Sequence, residues 1–367
     1  MTALTTSIEL SETEAKRRDE LSGRLFGAFN GVLDLASVYL GDKLSLYRAL
    51  SDGGPATSAQ LARRAGINER YAREWLEQQA TTGLLTVDST TADPDVRVYT
   101  LPRGHAVALL DRDSIASATP MALFLEPVGR LLPRLVEAYR TGEGIAWSEY
   151  GEDCWRGQGD FNRPFFRGQL ATELAKIPDL HAKLSAGGRV ADVACGVGWS
   201  AIAIAKAYPK VKVEGYDLDA AAIAQANTYA KAEGVADRLR FAVRDAAHLD
   251  GGYDLVTIFE ALHDMSAPVE VLRAVRSKLA PGGSLLVADE NMTDTFSAPG
   301  SDVERIMYGA SIVICLPNGL ADRPSAATGT VMRPATMRRY AIAAGFKDVE
   351  ELTLEVGLLR FYRMRAT

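Results

Sequence analysis

Residues 189–217 constrain this chain more than any other stretch. Val190 and Val193 lie in a short apolar run that reads as a buried strand. Cys195-Gly196-Val197-Gly198 follows as a turn, and Ala201 to Ala207 has helical composition and stops before Pro209. Val211-Lys212-Val213 restarts a strand that ends at Asp217. Strand, glycine turn, helix and strand make a βαβ unit. Such a unit places a ligand beyond the strand C-termini, where the unpaired N–H groups of the helix's first turn point outward. Glycine lets the backbone approach that ligand closely. An acid closing the second strand can accept hydrogen bonds from two ribose hydroxyls.

Gly196-x-Gly198-x-x-Ala201 has the form of a dinucleotide fingerprint. Three further features point to a different nucleoside. Asp192 stands in the first strand, two residues before the Ala194-Cys195-Gly196 turn. Asp245 follows the expected third strand. Tyr253 to Met265 then forms an apolar strand ending in Glu260-Ala261-Leu262-His263-Asp264, followed by a helix and a strand closing on Asp289-Glu290. Over residues 185–290 these features resemble the class I S-adenosylmethionine (SAM)-dependent methyltransferases. The resemblance implies SAM as cofactor, held by Asp192, Ala194, Cys195, Gly196, Gly198, Asp217, Leu218, Asp245, Ala246 and Phe259. Asp217 would take the ribose and Asp245 the adenine amino group. Ala194 stands where the family loop has its first glycine.

The C-terminal region alternates as the resemblance requires. Strands are expected at 189–195, 211–217, 238–243, 253–260, 283–289, 347–354 and 358–364. The last two, joined by a short turn at Gly357, read as an antiparallel hairpin. The implied fold class is α/β: a Rossmann-like methyltransferase sheet with a terminal antiparallel hairpin. Residues 291–333 form an insertion after the fifth strand, apolar enough for a helix over a substrate.

Upstream, residues 21–50 have apolar positions at helical spacing and read as one long helix or a helix pair. Thr57-Ser58-Ala59-Gln60 has the form of a capping box and opens a short helix that stops at Gly66. Asn68 can cap the next helix, and residues 84–101 read as a hairpin turning near Asp93-Pro94-Asp95. This is a winged-helix pattern. Its would-be recognition helix, 68–80, sets Arg70 and Arg73 against Glu69, Glu74 and Glu77, and residues 1–110 carry twelve basic and fourteen acidic side chains. DNA binding needs a positive face, so no nucleic-acid partner is expected. Many small-molecule O-methyltransferases have a similar N-terminal domain that dimerises, and the resemblance implies a homodimer. The expected organisation is a flexible stretch over 1–20, a mostly helical winged-helix domain over 21–112, a helical linker and pocket roof over 113–184, and a catalytic domain over 185–367. In the linker, Phe161, Phe165 and Phe166 either line a pocket or form a packing cluster.

Composition narrows the setting. A net charge of −6 argues against a general polyanion binder. Three cysteines without paired spacing fit a reducing cytosol. No apolar run of membrane-spanning length occurs, so no membrane partner is expected.

Methyl transfer to a neutral hydroxyl is helped by a general base. His263 is the candidate, since its ordinary pKa suits a base near neutral pH. In the O-methyltransferases that it resembles, the corresponding histidine is the base, and an acid ending the fifth strand orients it. Asp289 and Glu290 both stand there, Asp289 the better aligned. The family's usual tryptophan after His-Asp is Met265 here. The plain alternative is a histidine bonded only to Asp264 or water. His105, His181 and His248 have no comparable setting. His263, Asp264, Asp289 and Glu290 could supply part of a metal site, but no metal is assigned. The expected activity is methyl transfer to a small, largely apolar molecule of specialised metabolism, at a hydroxyl. Two alternatives remain: a non-methylating SAM-assisted cyclisation or rearrangement, and a ligand-responsive winged-helix regulator.

Overall fold

The computed structural model of the chain describes residues 9–90 and 93–365. Residues 1–8 of the expected flexible stretch, residues 91–92 of the expected hairpin, and residues 366–367 lie outside it. The chain divides into two compact units, residues 1–110 and 111–367.

The first unit opens with α1 (Glu12–Lys43). The helix starts earlier than the composition suggested. Ser11 and Glu14 form a capping box, with the Ser11 N–H donating to Glu14 Oε2 at 2.9 Å. Ser-x-x-Glu is legible in the sequence and marks this start. A left-handed Ser45 separates α1 from α2 (Leu46–Gly53), so the segment is a helix pair. The Thr57–Gln60 capping box opens α3 (Ser58–Ala65), which closes on left-handed Gly66. Asn68 accepts from the Arg70 N–H and opens α4 (Glu69–Thr81). A two-residue pairing of β1 (Thr86–Val87) with β2 (Tyr99–Thr100) forms the wing, and α5 (Arg103–Leu110) closes the unit. Leu46, Tyr47, Leu50, Leu61, Leu76 and Leu85 fill its core. Arg73 is paired with Glu69 and Asp95, and Arg97 with Glu77, which partly neutralises the helix and wing surface.

The second unit begins with helices: α6 (Thr119–Leu123), α7 (Leu125–Thr141), α8 (Trp147–Tyr150) and α9 (Glu152–Phe165). Pro164 removes a donor near the end of α9, and the chain passes into a π-helical turn, Phe166–Leu170, before α10 (Ala171–Ala175) and α11 (Pro178–Ala186). The sheet core follows as β3 (Gly188–Val193), α12 (Trp199–Ala207), β4 (Val211–Asp217), α13 (Ala220–Ala232), β5 (Leu239–Val243), β6 (Tyr253–Phe259), α14 (Pro268–Lys278) and β7 (Leu279–Glu290). The insertion holds α15 (Asp302–Ala310), a π-helical turn (Ser311–Cys315) and α16 (Leu316–Gly319). After it come α17 (Pro334–Ala343), β8 (Glu350–Leu352) and β9 (Leu359–Arg365).

The sheet order is β5-β4-β3-β6-β7-β9-β8, with β9 antiparallel to both of its neighbours and the rest parallel. Alternate residues feed the two faces. Val190, Val213 and Leu255 pack under α12 and α13, while Ala191, Val256 and Leu285 pack with α14 and α17. From β3 the chain builds outward to β4 on one side and β6 on the other, so the strand order reverses there. In open α/β sheets that reversal leaves a crevice beyond the strand C-termini.

Candidate functional site

The glycine turn lies at that crevice. Ala194, Gly196 and Gly198 have φ values of 55°, 52° and 83°. The loop therefore alternates through the left-handed region, which explains a glycine preference at its first position. Ala194 adopts that conformation at a cost of about 1 kcal/mol. The two glycines differ in role. A Cβ at Gly198 would lie 2.3 Å from the Phe241 ring, and the same ring abuts Gly215. A Cβ at Gly196 would meet no atom within 4 Å. Gly198 seats the helix on the sheet, while Gly196 leaves backbone open to a ligand. Gly198→Ala is expected to cost roughly 2–4 kcal/mol of stability, from strain plus overpacking. Gly196→Ala should cost only about the strain. Paired denaturant titrations check this, and equal losses at the two positions would contradict the distinction.

Asp217 is half-buried, and burial raises its pKa. Its Oδ2 accepts from the Gly196 N–H at 2.8 Å and its Oδ1 from the Asp219 N–H at 2.9 Å. The acid that ends β4 thus braces the turn that ends β3. Leu218 beside it is 70 % exposed, an apolar side chain left at the crevice rim. Asp245 is exposed and caps a short turn through the Ala247 N–H at 2.8 Å, and Ala246 is buried behind it. The Cys195 side chain is buried and burial raises its thiol pKa well above the ordinary value.

Two of the residues expected at the cofactor are buried in the core. Asp192 is 1 % exposed, with Oδ2 accepting from Ser200 Oγ at 2.5 Å and Oδ1 from Thr257 Oγ1 at 2.6 Å. Burial pushes its carboxyl up to about 6. It ties α12 to β6 from inside the core. Phe259 is also buried, its ring stacked on Phe166 and edge-on to Phe361 with centroids 5.8 and 5.7 Å away. Residue type and position along a strand could not tell which face each side chain takes. Phe166 accordingly belongs to a packing cluster with Phe165 against it, and Phe161 meets Phe165 edge-on.

The second cluster forms where β6 and β7 end together. Phe259 pairs with Ala288, and the Glu260 N–H donates to the Ala288 carbonyl at 2.8 Å. This register sets His263, in a short turn after β6, beside Asp289. His263 is 2 % exposed, with Nδ1 2.8 Å from Asp289 Oδ1 and 3.2 Å from Glu290 Oε2. The shorter contact is the hydrogen bond: Asp289 can only accept, so Nδ1 carries the proton. Nε2 lies 3.5 Å from Asp264 Oδ1. Burial is the largest influence on the imidazole and lowers its pKa, but Asp289, Glu290 and Asp264 together outweigh it and hold the ring well above its ordinary value. Burial pushes Asp264 up to about 6, and Glu260 and Glu290 are raised by burial and by neighbouring acids. Each of these shifts favours the protonated form, and His263 is not the freely titrating base that its residue type suggests.

The donor atoms of His263, Asp289 and Glu290, and those of His263, Asp264 and Cys315, lie within 4.8 Å of one another, near enough to converge on a cation. One atom in each group is otherwise committed. Nδ1 donates its hydrogen bond to Asp289, and burial pushes the Cys315 thiol up to about 12. The insertion closes on this cluster from the side: a Cβ on Gly319 would stand 3.4 Å from the Asp264 carbonyl. Buried Glu304 secures the insertion internally, accepting from Thr293, Ser297 and Arg333.

Glu260 was not singled out from the sequence. It is a non-glycine residue at φ 50°, and its Oε2 accepts from Gln158 Nε2 at 2.8 Å and from Asn162 Nδ2. Its signal was an ionisable residue directly after an otherwise apolar strand.

Comparison with known proteins places the chain in a lineage. Residues 184–316 match a methyltransferase domain, and residues 34–112 match the Rv2258c-like winged HTH domain. The 27-O-demethylrifamycin SV methyltransferase of Amycolatopsis mediterranei is 34% identical over 126 residues, covering 34% of this chain and 46% of the relative. The ubiquinone biosynthesis O-methyltransferase of Ralstonia nicotianae is 31% identical over 173 residues, covering 46% of this chain and 67% of the relative. Across the first curated relatives the match spans about a quarter to a half of their own length. Among solved structures, the mitomycin 7-O-methyltransferase MmcR superposes with a TM-score of 0.70 at 21% identity, over 96% of this chain and 100% of that one. Human N-acetylserotonin methyltransferase, in complex with SAM, superposes with a TM-score of 0.66 at 16% identity, over 98% and 99%. These two likenesses concern the fold. Among the described residues, no helix is long and apolar enough to cross a membrane.

Proposed function

Since this chain belongs to the SAM-dependent methyltransferases, with a winged HTH domain ahead of the methyltransferase domain, we propose that it methylates a hydroxyl of a small molecule with His263 as general base. The observation that carries this reading is the His263–Asp289 pair at the same strand edge as the glycine turn. Curated relatives named for O-methyl transfer in ubiquinone biosynthesis and for 27-O-demethylrifamycin SV support the reaction class.

The residues present fit the cofactor. Gly196 leaves an open backbone cradle at the N-terminus of α12, Asp217 offers two acceptor oxygens beside it, and exposed Leu218 supplies an apolar face for a purine. Asp245 and Ala246, at the end of β5, stand next along the edge. When bound, SAM supplies a methyl group on a positively charged sulfur, ready for in-line displacement. The protein's part is to hold the acceptor and take its proton. Asp289 fixes the imidazole tautomer, leaving Nε2 to receive that proton. The insertion and the buried surroundings exclude water. Incubation with methyl-labelled SAM and a panel of phenols and hydroxylated metabolites tests the proposal. Label in an ether product supports it; product formed without consumption of SAM would mean a non-methylating reaction instead.

The same reading includes a homodimer built on α1. Leu21, Leu25, Phe29 and Leu33 repeat every fourth residue on that helix, and with Phe26 they are 47, 59, 58, 48 and 67 % exposed. An apolar stripe of this length marks an interaction surface. Sedimentation velocity should give a dimer, and Leu25→Glu with Phe29→Glu should give a folded monomer. A wild-type chain that stays monomeric at all concentrations would refute the dimer.

A further inference from the structure

We infer that Glu260 is the acceptor for the α-ammonium group of SAM, an assignment that rests on the SAM-binding reading above. The motif acid Asp192 cannot fill that role in this chain. It is 1 % exposed, sealed in the core between Ser200 and Thr257, whereas Asp217 is only half-buried. An ammonium brought into a partly dehydrated crevice still needs an anionic acceptor.

Glu260 is built to be one. It directly follows β6, the strand beside β3, with Val193 and Ile258 paired in register. The ends of β4, β3 and β6 therefore stand in sequence along the crevice, carrying Asp217, the glycine turn and Glu260. A ligand whose ribose is held at the first and whose chain crosses the second meets the third next. The carboxylate is fixed through one oxygen only. Gln158 and Asn162 both donate to Oε2, and no group among the described residues donates to Oε1. The backbone at Glu260 adds a second observation. A φ of 50° at a non-glycine residue costs about 1 kcal/mol, and such strain gathers at ligand sites.

The two amides come from the helix that also covers the turn. In α9, a Cβ at Gly159 would lie 2.2 Å from Val197 Cγ2, and the Arg163 guanidinium lies 4.4 Å from the centre of the Trp199 ring. One face of α9 thus rests on the glycine turn, on the first residue of α12 and on Glu260 together. The positions of these three are set by a single element.

The test compares three ligands by calorimetry on the full chain: SAM, S-adenosylhomocysteine, and 5′-methylthioadenosine, which lacks the amino-acid tail. Glu260→Gln should raise the Kd of SAM and of S-adenosylhomocysteine by about tenfold or more, the size expected for one charge-assisted hydrogen bond. It should leave 5′-methylthioadenosine unchanged. Asn162→Ala, which keeps the carboxylate but frees it, should weaken the first two ligands by a smaller factor and again spare the third. The assignment is overturned if Glu260→Gln leaves all three affinities intact or weakens all three equally. Weaker SAM with unchanged S-adenosylhomocysteine would assign the carboxylate to the sulfonium. An unchanged SAM Kd with a raised KM for the acceptor would assign it to the acceptor. A wild-type chain that binds none of the three would defeat the SAM-binding reading itself.

Discussion

His263→Ala is expected to lower kcat by roughly 10²–10⁴-fold, the usual contribution of a positioned general base, while SAM affinity stays close to wild type. The reason lies in where the imidazole stands. It sits past β6, held by Asp289 from β7, and makes none of the contacts that shape the glycine turn. The pH dependence sharpens the test. A base works only when neutral, and the surrounding acids hold this ring protonated to a pH above its ordinary value. The rising limb of kcat/KM should therefore lie above pH 6.5, the ordinary histidine value, and vanish in the alanine variant. Asp289→Asn should move the limb down, because one of the anions stabilising the imidazolium is gone. The stability linkage has a fixed sign as well. A pKa raised in the folded state contributes stability that is complete below the unfolded value and is lost as pH rises through the folded one. A fully active His263→Ala enzyme would mean that the acceptor arrives already ionised or is not a hydroxyl.

Asp217→Ala should weaken SAM by at least about tenfold, and by about a hundredfold if two charge-assisted ribose bonds are lost together. The same change removes the acceptor for the Gly196 N–H, so the turn loosens where the ligand needs it rigid. Asp217→Asn separates the two effects, since one carbonyl oxygen can still brace Gly196 while the charge is gone. Calorimetry with both variants checks this. Unchanged affinity in a folded Asp217→Ala chain would remove Asp217 from the site.

Much of the sheet was legible because its signals are local. Apolar runs bounded by glycine, proline or acids placed the strands of the core, and the spacing around Gly357 announced the antiparallel pair. The approach of Asp289 to His263 was legible for a related reason. His263 follows β6 and Asp289 lies near the end of β7, its parallel neighbour, so once the resemblance implied the pair, strand position favoured Asp289. What stayed hidden depends on distant partners. Asp192 and Phe259 sit at the right height but point into the core, and their partners Ser200, Thr257, Phe166 and Phe361 are set by packing. Glu260 depends on Gln158 and Asn162, about a hundred residues upstream. The upward shift of His263 is collective: it needs three acids gathered by two strand ends and a turn.

The place of β9 bears on how this unit is made in the cell. Residues 359–365 lie between β7 and β8, not at the sheet's edge, and Phe361 packs on Phe259 just behind the histidine turn. During synthesis, β7 therefore waits with an unpaired edge while some seventy further residues leave the ribosome. Closing that long-range pairing is slow in general, and an open strand edge invites wrong partners. The insertion and α17 must be spooled out first, so the neighbourhood of His263 is finished last. Truncations within 359–365 should therefore leave a soluble nucleoside-binding half beside an unfinished catalytic one, with chaperone dependence rising before cofactor affinity falls.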